Sequence, residues 1–268
     1  TGSSDMSIKI WKSANKASPF DFNEFFCEKT LVGHEHSVSG LLNLPDSDFT
    51  VSVSRDCTIR VWDRSSGYCR KTIADSHQEW IRCCDFNSRH FASSGNDKKI
   101  FVFDLAELTN FDKKATFGSG NHLTSFDVHE NFVESIRLFK KPTLADEDCI
   151  AVTASRDKTI GVWNYLTGTM LALLTGHENW VKDVQIFEEF NLILSVGEDR
   201  TLRIWDHRKK KQLYVEKNAH SHFVSCSALS KQFRIFLSGS VDKTTKIWKI
   251  SNSTSDDLLK NILKDEDN

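Results

Sequence analysis

Along this chain an Asp is followed, six residues later, by a Trp at the end of a short alternating stretch, and the arrangement keeps returning. Asp5 and Trp11, Asp56 and Trp62, Asp157 and Trp163, Asp199 and Trp205, and Asp242 and Trp248 stand in these places, and Asp97 has Phe103 in the Trp slot. Successive Asp residues lie 51, 41, 60, 42 and 43 residues apart. His34, His77, His129, His177 and His220 precede their Asp by 22, 20, 28, 22 and 22 residues. Such self-similarity marks one supersecondary unit repeated in tandem, and units of this size bury their apolar faces by stacking on their neighbours.

A period of about forty residues, with a His near the start and a Trp-Asp-like end, is the signature of the WD-repeat β-propeller, whose blades are four-stranded antiparallel sheets. The chain therefore reads as all-β, with residues 1–250 a partial WD-repeat propeller and 251–268 a polar tail. Residues 1–12 read as the third strand of a blade that Phe25–Val32 completes on its outer side, with a polar loop between them. Five complete or near-complete blades follow this half-blade.

In the first blade Val38–Leu44, Phe49–Ser54, Thr58–Asp63 and Tyr68–Ala74 alternate or run apolar between turn residues, as strands do. The second runs from His77 to about Phe117, with Lys99–Asp104 as its third strand. The third begins at His129, and the long Asp97-to-Asp157 interval is assigned to a polar insertion at 140–149, expected on the surface. The fourth is regular, and the fifth, from His220 to Ile250, shows three strands. The tail carries Leu258, Leu259, Ile262 and Leu263 at helical spacing, enough for a short amphipathic helix that would fray alone.

Composition narrows the function. A formal net charge of −2 gives no reason to expect a nucleic-acid binder. No apolar run has the length of a membrane span, and no signal-peptide pattern opens the chain, so it reads as soluble and cytoplasmic. The seven cysteines include no C-x-x-C and read as reduced thiols. His34 with His36 and His220 with His222 lack further ligands for a metal site, and no cofactor motif occurs.

His, Asp and Ser together suggest nucleophilic catalysis, but their recurrence in blade after blade argues for buried polar groups satisfying one another. The chain is therefore expected not to be an enzyme. Function should lie in what varies. Three residues after the framework His stand Ser37, Trp80, Phe132, Trp180 and Phe223; five after it stand Ser39, Arg82, Glu134, Lys182 and Ser225. Just before the turn Asp stand Arg55, Asn96, Arg156, Glu198 and Val241, and Arg200 follows Asp199. These slots open on one face of a propeller, so Arg55, Trp80, Arg82, Arg156, Trp180, Lys182 and Arg200 are expected to form one partner-binding rim. Trp and Arg are the types that dominate interface energetics.

The stretches GYCRKTI (67–73), SRDKTIGVWN (155–164), TGHENWVKDV (175–184), EDRTLRIWD (198–206), NAHSHFV (218–224) and GSVDKTTKIWK (239–249) resemble, in order, repeats of the lissencephaly-1 family. The resemblance runs from the first residue to about Lys249. It implies a seven-bladed propeller in the intact protein, of which this chain would be an N-terminally truncated fragment. It also implies a buried His–Asp–Ser/Thr–Trp network in the blades. The framework residues are then His34, Asp56 and Trp62; His77 and Asp97; His129, Asp157 and Trp163; His177, Asp199 and Trp205; and His220, Asp242 and Trp248.

In function the resemblance implies a non-catalytic regulator of cytoplasmic dynein, acting in microtubule-based transport, nuclear migration and spindle positioning. The implied partners are the dynein heavy-chain motor domain, NudE-type proteins and the catalytic subunits of platelet-activating-factor acetylhydrolase. Homodimerisation would require an N-terminal region outside this chain. The implied location is the cytoplasm, on microtubules and at the centrosome or spindle pole. Arg55, Arg82, Arg156, Trp180 and Arg200 match the family's motor-binding positions. The alternative is a general WD-repeat adaptor, such as a ubiquitin-ligase substrate receptor.

Overall fold

In a computed structural model the described residues are 1–13, 25–44, 47–111, 122–139 and 149–250. The expected polar loop, residues 45–46, most of the 140–149 insertion and the 251–268 tail lie outside them. The half-blade pairs β1 (Ile8–Ser13) with β2 (Phe25–Leu31) in antiparallel fashion. The first blade is β3 (Val38–Asn43), β4 (Phe49–Ser54), β5 (Ile59–Asp63) and β6 (Cys69–Ile73), hydrogen-bonded in chain order.

The second blade holds β7 (Ile81–Phe86), β8 (His90–Gly95), β9 (Lys99–Asp104) and β10 (Thr124–Asp127). The third holds β11 (Val133–Leu138), β12 (Ile150–Ser155), β13 (Thr159–Asn164) and β14 (Thr169–Thr175). β15 (Val181–Phe187), β16 (Leu192–Gly197), β17 (Leu202–Asp206) and β18 (Lys211–Glu216) make the fourth. β19 (Val224–Ser230), β20 (Ile235–Ser240) and β21 (Thr245–Lys249) make a three-stranded fifth.

The second blade does not end near Phe117. Its outer strand is β10, beyond that point, so the extra residues of the long interval are shared between the β9–β10 and β11–β12 connections. The first connection opens with a short helix, α1 (Leu105–Leu108), which the strand pattern conceals. Asp104 caps it by accepting the backbone N–H groups of Ala106 and Glu107. Leu108 buries against the interface between the first two blades, in company with Phe103.

Why these segments are strands is plain from their burial. The second strands β8, β12 and β16 are buried at every residue, because a blade packs both faces against its neighbours. Outer strands such as β6 alternate and face solvent on one side. Hydrophobic clusters fill the successive interblade interfaces; Ile150, Val152 and Val162 of the third blade, for example, meet Val184, Ile186 and Trp205 of the fourth. The fifth blade has one face uncovered. Ile247 is 51% exposed, whereas Ile204, Val162 and Val61 in the same register are at most 1% exposed. The inner strands β3, β7, β11, β15 and β19 stand side by side and bring equivalent loops of neighbouring blades together at one end.

Candidate functional site

Under the rim, each blade carries a buried tie. His177 Nδ1 lies 2.7 Å from Asp199 Oδ2, its Nε2 lies 2.8 Å from Ser195 Oγ, and Trp205 Nε1 donates to the same hydroxyl at 2.8 Å. The first blade repeats this with His34, Asp56, Ser52 and Trp62, and the third with His129, Asp157, Thr153 and Trp163. The fifth uses His220, Asp242, Ser238 and Trp248. In the second, His77 joins Asp97 and Ser93 but no indole donor is present. There Phe101 packs its ring 4.4 Å from the imidazole instead, beside a fully buried Phe103.

The charges of the tie follow from burial and bonding. Burial pushes Asp199 up, but the bonds from His177, the Glu178 N–H and Thr201 outweigh it and hold the carboxyl at about 2. Asp157 sits at about 2 on the same balance, with His129 and Thr159 as donors. Burial pushes His177 below its ordinary value, so its imidazole is neutral at pH 7. A neutral imidazole that donates from Nδ1 to the carboxylate leaves Nε2 to accept the Ser195 proton.

That polarity is the one a hydrolase uses. The hydroxyl, however, is fully buried and its oxygen already accepts the indole N–H, so no substrate can reach it. Among the described residues no group of three or more His, Cys, Asp or Glu is placed to hold a metal ion. Among them, too, no helix is long and apolar enough to cross a membrane.

The rim is built on the tie. The turn Asp orders the loop after the second strand, and the residue before it donates its backbone N–H to the carbonyl three residues after the framework His. Arg55 to Ser37, Asn96 to Trp80, Arg156 to Phe132, Glu198 to Trp180 and Val241 to Phe223 all make this bond, at 2.8–3.0 Å. Two variable slots thus meet in each blade. Around the third blade they form a continuous cluster across three blades. Glu134, its side chain only 7% exposed, receives Lys182 of the fourth blade at 2.7 Å, Arg82 of the second at 3.4 Å and Arg156 of its own. Burial pushes Glu134 up, but Lys182, Arg156 and Arg82 outweigh it and hold it ionised below the usual range.

Aromatic rings interleave with these cations. The Arg156 guanidinium lies 4.1 Å from the Trp180 ring centre and 5.3 Å from that of Phe132; Arg82 covers the other reach of Phe132 at 5.4 Å. Farther along, Arg55 stacks on Trp80 at 4.9 Å, and His36 packs beside that indole at 5.5 Å. Burial lowers the Arg82 pKa, and the nearby Arg156 and Arg55 charges push the same way. Arg55, Trp80, Arg82, Arg156, Trp180 and Lys182 are therefore neighbours.

Arg200 takes no part in these contacts among the described residues. It occupies the left-handed turn position (φ 64°) that Cys57, Lys98, Lys158 and Lys243 fill elsewhere, is exposed, and makes no side-chain bond or ion pair among the described residues. Two members of the cluster are absent from the expected set. Glu134 and Phe132 stand in the same variable slots as Lys182 and Trp180, which is the only signal the sequence offers; an acid between three cations becomes visible only once three blades are packed.

Comparison with known families matches the profile of the WD domain, G-beta repeat, at residues 25–63, 67–104, 120–164, 168–206 and 211–249. Each matched unit starts on the outer strand of one blade and ends on the third strand of the next, so consecutive blades are stitched by one repeat. The chain is 34% identical over 242 residues to the nuclear distribution protein nudF of Aspergillus niger, covering 84% of this chain and 50% of that protein. It is 32% identical over 241 residues to the nuclear distribution protein PAC1 of Arthroderma otae, with 84% and 50% covered. With nudF of Emericella nidulans the identity is 34% over 217 residues, covering 74% and 46%. The chain spans about half the length of the curated relatives it matches.

Proposed function

We propose that this chain, which belongs to the WD domain, G-beta repeat family, is a non-catalytic scaffold that regulates cytoplasmic dynein in nuclear distribution, docking the motor domain on the Arg–aromatic rim. The observation that carries the proposal is the cluster around Glu134: Arg82, Arg156 and Lys182 from three blades, interleaved with Phe132 and Trp180. Three cations meet one carboxylate there, and with Arg55 the rim keeps an excess of positive charge. A surface of this kind suits an acidic partner that also offers apolar contact to an indole. The relatives called nuclear distribution proteins support a dynein-pathway role, with cytoskeletal association and NudE-type and acetylhydrolase partners following as parts of the same proposal.

The mechanism is selective binding. A scaffold without chemistry of its own shifts a motor's conformational equilibrium only by its difference in affinity between the motor's states. Glu134 and the two rings hold the cations in place before the partner arrives, which lowers the ordering cost of binding. Titrating the chain with a purified dynein motor domain tests the proposal. Binding that weakens as salt rises is expected; no binding at low salt, or capture of ubiquitin-ligase subunits in place of the motor, would refute it.

A further inference from the structure

At the end of the propeller opposite the rim, where first strands join second and third strands join fourth, the second blade departs from the others. Its second strand opens with His90, which pairs across to Asp104. In the same register of the other blades stand Phe49, Ile150, Leu192 and Ile235, all apolar. His90 is only 9% exposed, so an imidazole takes the place of a core hydrocarbon and its two nitrogens need partners.

One nitrogen belongs to a tie between the second and third blades. Asn87 Oδ1 accepts the backbone N–H groups of Arg89 at 3.0 Å and His90 at 2.9 Å, which fixes the orientation of the amide. Its Nδ2 donates to the Phe139 carbonyl at 3.1 Å and to the Tyr165 hydroxyl at 2.8 Å. The same hydroxyl lies 3.1 Å from His90 Nδ1. Burial raises the Tyr165 pKa, so the phenol keeps its proton; burial lowers that of His90, so the imidazole is neutral at pH 7. A phenol that accepts from Asn87 gives its own proton to the imidazole, a better acceptor than the neighbouring Cys149 thiol. His90 therefore carries its N–H on Nε2.

The tie leaves that N–H unused. Nε2 has no partner among the described residues, and His90 lines an open cavity of about 630 Å³ together with Leu44, Ser88, Arg89, Asp104 and Leu105. Arg89 and Asp104 both act on the His90 charge, with opposite sign, yet neither forms an ion pair among the described residues. Asp104 uses Oδ1 to cap α1, and its Oδ2 has no partner there. One cavity thus holds a cation, a neutral N–H donor and a carboxylate oxygen with bonding capacity to spare, beside two leucines.

We propose that this cavity captures the C-terminal end of a partner polypeptide. The terminal carboxylate takes Arg89 and the His90 Nε2–H, the last backbone N–H takes Asp104, and an apolar last side chain lies against Leu44 and Leu105. A chain end carries its carboxylate and a donor N–H on the same carbon, which suits a cation and a carboxylate flanking one imidazole; an acidic side chain holds the two farther apart. The cavity is of ligand-pocket size, within the range of roughly 300–1,000 Å³. Asn87 and Tyr165 are positioning residues that set the tautomer of His90. The inference is independent of the rim.

Nitrogen NMR of the histidine side chains in the full chain tests the donor: His90 is expected with its proton on Nε2 and none on Nδ1. The probe for the site is acetyl-Gly-Gly-Leu with a free carboxylate, set against the same peptide ending in an amide and against acetyl-Gly-Asp-Gly-amide. The free acid is expected to move the His90 imidazole signals and to bind at least about tenfold more tightly than either control, the range for one hydrogen bond to a charged group. Arg89→Ala, at an exposed position, should keep the unfolding midpoint and weaken binding of the free acid by about tenfold. A proton on Nδ1 would overturn the proposal. So would binding that leaves the His90 signals in place, equal binding of acid and amide, tighter binding of the internal Asp peptide, or an affinity indifferent to Arg89→Ala.

Discussion

Arg156 and Asp157 are adjacent in the chain and belong to regions governed by opposite requirements. Asp157 is part of a closed buried tie in which each polar atom has a fixed partner, and four of the five blades with a framework His repeat that tie in full. Arg156 lies in an open cluster that exists around one blade only, held to Glu134 and two rings and reaching solvent at its edge. The difference is one of information. A feature that every blade needs says how the fold is held and nothing about partners; a feature assembled from unlike residues of three blades is where a partner can be distinguished.

The contrast can be broken first at the tie. Ser195→Ala removes the hydroxyl that serves both Trp205 and His177, leaving two buried groups unsatisfied, so a loss of about 2–6 kcal/mol is expected at roughly 1–3 per group. Ser93→Ala in the second blade, where no indole donates, should cost only about 1–3 kcal/mol. Denaturant unfolding with hydrogen exchange of each blade measures both. Equal losses would mean that the Trp–hydroxyl bond contributes little.

Acid should act on the same tie. The His177 pKa lies below its unfolded value of 6.5, so the unfolded chain takes up that proton first and stability declines as pH falls below about 6.5. Asp157 and Asp199, at about 2 against 3.8 unfolded, add stability that is complete above about pH 4 and lost as pH falls through 2. Unfolding midpoints that stay level from pH 7 to pH 3 would contradict this assignment.

At the rim the expected effects on the fold are smaller. Glu134→Gln keeps the shape but leaves Arg82, Arg156 and Lys182 without their shared carboxylate, at a cost of about 1–3 kcal/mol in stability. Partner binding should weaken as well, because the mutually repelling cations spread apart. Arg200→Ala should change stability by less than about 0.5 kcal/mol, as befits an exposed turn residue with no side-chain partner among the described residues. A large effect there would move the centre of the rim toward the fourth blade's turn.

Much of the frame was legible because it repeats. The second and third strands of the first blade, and β9, lie where alternation and the Asp-to-Trp spacing put them, and the fifth blade has its three strands. β10 was not legible: its four residues, Thr124–Asp127, follow a connection of unusual length, and strand alternation over four residues is a weak signal. Helix α1 was hidden because Asp104 reads equally well as the end of a strand and as a cap. The rim's residue types can be read from the variable slots, and Arg200 joins them by its place beside the turn Asp199, although it takes no part in the contacts around Glu134 among the described residues. The centrality of Glu134 depends on distances between blades, which no spacing along the chain encodes.

Trp180 tests the central claim most directly, since its indole lies against Arg156 at the edge of the cluster while remaining outside every buried tie. Isothermal titration of the dynein motor domain with the chain and with Trp180→Ala, each with its unfolding midpoint measured alongside, gives the answer. A loss of about 2 kcal/mol or more in binding, roughly thirtyfold in affinity, with the fold intact is the expected result. Unchanged affinity in a folded Trp180→Ala variant would show that the motor does not dock on this rim.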